Sequence, residues 1–334
     1  MVSAVIFVAT SCVSPLTGFA FWETNLAYEG ESIYNYLQVK NLSDRTILSA
    51  NVLFGVQSVT MKDKGLTGMY YDTALAAPAL ADNANSALIL GMGTGTYARQ
   101  LKQYYPKMNI TGVEIDQKIT DLAGEYFDEP ADIPVTTYDG RAWLAASHDK
   151  YDVIMVDAYQ DITIPFHMSS TEFFTMVREH LNPGGVMVVN MNMISDGQGS
   201  INEALSDTIA SVFGNGNTLT ADVPNTTNRE LFAKKPGSGS EENSMQQASK
   251  ALNLRETTYE RTGSEDLEWY MEEVASRFRK VNEPDSASTI LTDDKAPVEV
   301  LGMHAIDQII ADEAGPYRQI LKDEGFGGLL RAVQ

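Results

Sequence analysis

The sequence predicts an α/β fold: a Rossmann-like sheet of seven strands, preceded by a small antiparallel β-region. Strand and helix signals alternate from Ser86 onward, which implies parallel strands joined by right-handed crossovers. The run Ser86-Ala87-Leu88-Ile89-Leu90 stops at Gly91-Met92-Gly93-Thr94-Gly95, the pattern of a buried strand entering a tight turn ahead of a helix. Successive strands then end at Gly91, Glu114, Asp139 and Asp157, and ligands of open α/β sheets sit beyond such carboxyl ends.

Taken in order, the chain begins with an uncharged apolar run, Val2 to Trp22, of about the length that spans a bilayer. No Lys or Arg precedes it, which argues against a secretory signal, and Pro15 and Gly18 interrupt a helix. A membrane anchor is the preferred reading and a buried apolar segment the alternative. Residues 31–84 form the β-region and a lead-in helix. Strands are expected over Ile33–Val39, Arg45–Leu48 and Leu53–Ser58, and a helix from Met69 to Leu80. The nucleoside-binding domain covers 85–233, with strands at Ser86–Leu90, Asn109–Val113, Val135–Tyr138, Tyr151–Val156, Val186–Met191, Asn217–Ala221 and Arg229–Ala233. Helices are expected between them at Tyr97–Tyr105, Gln117–Phe127, Arg141–Ser147, Thr171–Leu181 and Ile201–Phe213, the fourth closed by Asn182-Pro183-Gly184-Gly185. Residues 234–266, rich in Ser, Gly, Glu and Gln without an apolar period, read as a flexible insertion. Residues 267–334 read as a helical C-terminal segment, with helices at Leu267–Phe278 and Met303–Asp312. Between them Asp293 and Asp294 are open to two readings, facing a cationic substrate or serving as turn and capping residues.

The spacing around the glycine turn narrows the ligand. It reads G-x-G-x-G, with Thr96 where a dinucleotide fingerprint has its third glycine, which disfavours NAD. Glu114 follows Gly91 by roughly twenty residues, where an acid accepts the hydroxyls of a ribose. Asp139, at the next strand end, can accept a hydrogen bond from an adenine amino group. Together these point to an S-adenosyl-type nucleoside. With 24 Lys+Arg against 45 Asp+Glu the formal charge is -21, which reads first as a solvated acidic surface and otherwise as a field that repels nucleic acid and admits cationic amines. The single Cys12 excludes an internal disulfide framework, and His148, His167, His180 and His304 show no metal-ligand spacing, so no metal is expected.

These residues resemble the spermidine synthase (polyamine aminopropyltransferase) family, a branch of the class I S-adenosylmethionine-dependent methyltransferase fold. The resemblance runs over most of Glu31 to Ala233: Gly55-Val56-Gln57, Tyr70-Tyr71, the LILGMGTG turn, Val113-Glu114-Ile115-Asp116, Asp139-Gly140, Tyr151-Asp152-Val153-Ile154 leading to Asp157, and Leu181-Asn182-Pro183-Gly184-Gly185. The apolar N-terminus and the TDDKAPVE segment resemble the branch fused to a membrane region. The resemblance implies that Gly91, Gly93, Gly95, Glu114, Asp139 and Gly140 hold decarboxylated S-adenosylmethionine, with Gln57 near its sulfur, that Asp157 is the catalytic acid, and that Tyr71 closes the amine channel. It implies a cytoplasmic catalytic domain, attached to a membrane through residues 2–22, acting on a small amine such as putrescine; a homodimer is expected.

The chain departs from the family pattern in two places. Met92 and Thr94 stand where the family's GGGDG turn has a glycine and an acid, and its second substrate-binding acid is either replaced by Gln160 or has slipped to Asp161. An unpaired ammonium is costly to bury, so this second departure bears on diamine recognition. Two alternatives follow: a methyltransferase using intact S-adenosylmethionine, and a nucleoside-binding module without turnover.

Overall fold

The structure, a computed structural model, describes residues 20, 23–51, 56–63, 65–159, 164–191, 197, 199–237, 245–246, 249–284, 288–303 and 322. Four strands, β1 (Leu26–Glu31), β2 (Tyr36–Asn41), β3 (Arg45–Ala50) and β4 (Ser58–Met61), form an antiparallel sheet in sequence order. Its apolar face, Leu37, Val39 and Leu48, packs on Ile119 and Leu122 of helix α4 (Gln117–Tyr126) and on Phe127. The turn between β1 and β2 is tied to the large domain by Asp116, which accepts from Ser32 Oγ at 2.6 Å and Asn35 Nδ2 at 2.9 Å. Asp116 also caps α4, accepting from the Lys118 N–H at 3.0 Å. Of the strand expected over Leu53–Ser58, residues 53–55 lie outside the described set, and the described pairing begins at Ser58.

The lead-in helix is two short ones, α1 (Tyr70–Ala74) and α2 (Ala76–Leu80). The large sheet has the order β12-β10-β11-β9-β8-β5-β6-β7. Its strands are β5 (Ser86–Leu90), β6 (Asn109–Glu114), β7 (Val135–Thr137), β8 (Tyr151–Val156), β9 (Leu181–Met191), β10 (Thr218–Asp222), β11 (Arg229–Lys234) and β12 (Arg279–Lys280). The seven expected strands are present, with β5 through β9 parallel and β11 antiparallel to β9. The eighth, two-residue β12 pairs with Leu219 and Thr220 of β10. A strand that short carries no period in the sequence.

Helices α3 (Thr96–Tyr104), α5 (Gly140–Ala146), α6 (Thr171–His180) and α7 (Ile201–Phe213) join the strands. Ser170 caps α6 through the Phe173 N–H and Ser200 caps α7 through the Glu203 N–H. The Asn-Pro-Gly-Gly stop holds at Gly184, whose φ of +78° and approach to Asp82 leave no room for a Cβ.

Beyond β11 the expected flexible insertion is corrected. Residues 251–262 of it form helix α8 (Ala251–Thr262), paired with α9 (Glu265–Arg277). Arg255 makes ion pairs to Glu268 and Glu272 and lies 4.1 Å from the Trp269 ring centre. The pair is held as much by these polar contacts as by Leu254, Leu267, Met271 and Val274, so α8 lacks an apolar stripe. Most of the apolar run 2–22 and, but for Met303, the helix expected at Met303–Asp312 lie outside the described residues; among those described, no helix is long and apolar enough to cross a membrane.

Candidate active site

A pocket opens at the carboxyl ends of β5, β6 and β8. Gly91, Gly93, Glu114, Asp139, Gly140 and Asp157 line it from the sheet side, Gln57, Tyr70 and Tyr71 from the opposite side. Two of the turn glycines are required by geometry. Gly91 has φ +87°, and a Cβ there would lie 2.4 Å from the Asp157 carbonyl oxygen, so glycine is what allows β5 and the end of β8 to close together. Gly93 has φ +57° and faces open space, a concave backbone surface that a bound nucleoside would fill. Gly95, also left-handed at φ +77°, precedes α3 and abuts Glu129 rather than the pocket.

Glu114 is buried and accepts from the Gly93 N–H at 2.8 Å and the Asp116 N–H at 3.0 Å. Burial pushes its pKa up, against those two bonds. A carboxylate has about four acceptor positions, so further positions remain for ligand hydroxyls. Asp139 caps α5 by accepting from the Ala142 N–H at 2.8 Å, and its other oxygen is 3.1 Å from His167 Nε2. Glu129, near the same turn, is pushed up to about 7 by burial and then by the charge of Glu114.

Asp157 sits where β8 ends. Its Oδ2 accepts from the Tyr70 hydroxyl at 2.6 Å and its Oδ1 from Asn190 Nδ2 at 2.9 Å. Burial pushes its pKa up to about 7; the bonds from Tyr70 and Asn190 pull the other way, and the charge of Glu114 adds to the rise. Tyr70 and Tyr71 come adjacent from the start of α1, ring centres 4.0 Å apart. Tyr71 reaches Ser58 Oγ at 3.1 Å and the Gln57 carbonyl at 3.4 Å. Thr94 is buried in a hydroxyl network, 2.5 Å from Ser58 Oγ and 3.3 Å from Thr96 Oγ1, so its side chain is turned toward β4.

Helix α1 is aimed by Asp72. This buried carboxylate accepts from the Thr67 N–H and hydroxyl, the Gly68 N–H and Gln100 Nε2 at 2.6 to 2.9 Å.

Tyr70, His167 and Tyr97 line the pocket, and Asn190 holds Asp157 from behind it, without having been singled out as site residues. Tyr70 is adjacent to a nominated tyrosine, and Asn190 is the polar residue near the end of an apolar strand; both carried that signal. His167 lines the pocket mouth, where the sequence suggests only a loop histidine. Gln160 and Asp161 lie outside the described residues. Asp293 belongs elsewhere: it pairs with Arg141 at 2.5 and 2.7 Å and accepts from Ser170 Oγ, which holds its pKa down to about 2. Of its two readings, the structural one applies. Among the described residues no cluster of potential ligands forms a metal site.

Strand order and pocket define a Rossmann-like fold of the methyltransferase type. The profile of the spermine/spermidine synthase domain matches residues 69–235. A probable polyamine aminopropyl transferase of Bifidobacterium longum is 99% identical over 334 residues, covering all of this chain and 75% of that protein. A polyamine aminopropyltransferase of Vibrio vulnificus is 28% identical over 209 residues, covering 60% of this chain and 69% of that protein. The crystal structure of a probable spermidine synthase from Corynebacterium glutamicum superposes with a TM-score of 0.55 at 21% identity, over 80% of this chain and 99% of that one. The chain belongs to the spermine/spermidine synthase family, and it is a transferase.

Proposed function

We propose that this chain transfers an aminopropyl group from decarboxylated S-adenosylmethionine to a diamine such as putrescine. The observation that carries the reading is the Asp157 carboxylate: it is held by Tyr70 and Asn190 on a pocket beside the glycine turn, with a pKa of about 7. Bound decarboxylated S-adenosylmethionine supplies a carbon activated by an adjacent sulfonium. The residues present suit it: Gly91 and Gly93 leave the backbone bare, Glu114 offers acceptors for ribose, Asp139 and Gly140 border the base, and Gln57 lies opposite. Asp157 accepts the hydrogen bonds of the incoming ammonium and takes its proton. The freed amine forms the new C–N bond as the C–S bond breaks, and sulfur leaves as the thioether of methylthioadenosine. A base with a pKa near the working pH contributes about 10²–10⁴ in rate. Tyr71 walls the amine side, with Gln160 and Asp161 on the segment that follows Asp157.

Thr94, buried where the family has an acid, favours the second reading, transfer of methyl from intact S-adenosylmethionine. Incubation with each donor and putrescine separates them: methylthioadenosine and spermidine from the decarboxylated donor are expected, and S-adenosylhomocysteine from the intact one would establish methyl transfer. Asp157→Asn should lower kcat by about 10²–10⁴ while nucleoside binding persists; unchanged turnover would refute the assignment.

A further inference from the structure

The most unusual side chain outside the assigned set is Glu230, on β11. It is fully buried, and neither carboxyl oxygen has a hydrogen-bond partner among the described residues. A buried acid without a partner is expensive, because it loses its water and gains nothing.

Its position in the sheet relates it to Asp157. Val156 is in register with Val189 across β8 and β9, and Glu230 is paired with Asn190 across β9 and β11. Asn190 in turn donates to Asp157. Asp157, Asn190 and Glu230 thus form one row across three neighbouring strands. Side chains alternate along a strand, so Asn190 and Glu230 share a face with Val188 and Phe232, which belong to the core cluster containing Tyr71 and Tyr97. Both tyrosines line the pocket, and α1, which carries Tyr71, packs on β11. Burial raises the pKa of both hydroxyls and the charge of Glu230 adds to it; the shared face of the sheet puts the carboxyl behind that stretch of wall. Two strand spacings put the backbones of Asp157 and Glu230 about 10 Å apart.

Resting on the aminopropyl-transfer reading, we propose that Glu230 is a specificity-determining residue, the acid that meets the distal ammonium of a linear diamine whose near amine lies at Asp157. Two acids on one row about 10 Å apart suit a short aliphatic dication. Such an occupant supplies what Glu230 lacks, a charged donor inside a low-dielectric wall. Glu230 is not itself on the pocket lining, so the contact requires a rotation of the Tyr71 ring or of the Glu230 side chain.

The test compares putrescine with butylamine, the same carbon chain carrying one amine, as acceptors for the full chain and for Glu230→Gln and Glu230→Met. The wild type should prefer putrescine, and both variants should lower the putrescine-to-butylamine ratio of kcat/KM by tenfold or more, chiefly through KM for putrescine. A merely structural glutamate would change both acceptors alike, and an unchanged ratio overturns the proposal. So does a wild type that transfers to both amines equally, a result that leaves aminopropyl transfer itself intact. Absence of transfer to either amine defeats the transfer reading and the proposal with it. Removing an unpaired buried acid should hold or raise the thermal midpoint; loss of folding in both variants would make Glu230 structural and also overturn the assignment.

Discussion

Tyr70 and Asp157 show how one hydroxyl sets the working range of the site. The 2.6 Å bond from Tyr70 stabilises the charged carboxylate against burial. Tyr70→Phe removes it, and since a hydrogen bond to a charged group is worth about 1.5–3 kcal/mol, the Asp157 pKa should rise by roughly 1–2 units. The base must be deprotonated to act, so the acid limb of the pH profile of kcat/KM should move upward by that amount; an unmoved limb would show that Asp157 is not the titrating base. Gly91 gives a second, independent expectation. Gly91→Ala meets the Asp157 carbonyl and costs about 1–3 kcal/mol for the left-handed backbone alone, to be read as a lowered denaturation midpoint. Both residues were legible in the sequence, because a glycine turn and a strand-ending acid leave a mark on the chain itself. Glu230 was not legible as a site residue. A single acid in the short strand Arg229–Lys234 reads as ordinary alternation, and only the strand pairing sets it in line with Asp157.

At the scale of elements, the five-residue helix α1 carries much of the site although it is too short to be stable alone. Asp72 holds its entry by bonding the loop at Thr67 and Gly68 and helix α3 through Gln100. Asp72→Ala should free these donors and lower stability by about 3 kcal/mol or more at roughly 1–3 kcal/mol for each stranded group. Because Tyr70 and Tyr71 ride on the same turn, KM for the acceptor should rise together with the loss of stability, whereas an entry held by other contacts would show only the latter. The strands and helices of the central domain follow the sequence closely, for their periods are set by burial on a sheet. Helix α8 escaped the same logic: its attachment to α9 runs through Arg255, Glu268, Glu272 and Trp269, and charged contacts leave no apolar period to read.

For the whole molecule, the balance of titrating groups predicts how stability follows pH. Asp157, Glu114 and Glu230 all have raised pKa values in the folded chain, so the stability they contribute is present below the ordinary carboxylate range and is lost as pH rises through their folded values, about 7 for Asp157. Asp293, held down to about 2 by Arg141, works in the other direction and loses its contribution only in strong acid. The net charge of -21 adds self-repulsion that grows with pH. The thermal midpoint should be higher near about pH 5.5 than near about pH 8, and Asp157→Asn should narrow that gap. A midpoint that climbs steadily between the two would show that the buried acids are ionised at little cost.

The two-residue strand β12 has a consequence for how copies of this chain can meet. It covers only Leu219 and Thr220 of β10, and it does so with Arg279 and Lys280; at the far side of the sheet β7 is three residues long. Borders this brief, one of them basic, offer poor templates for a strand from another molecule, so the large sheet is guarded against end-to-end growth into fibres.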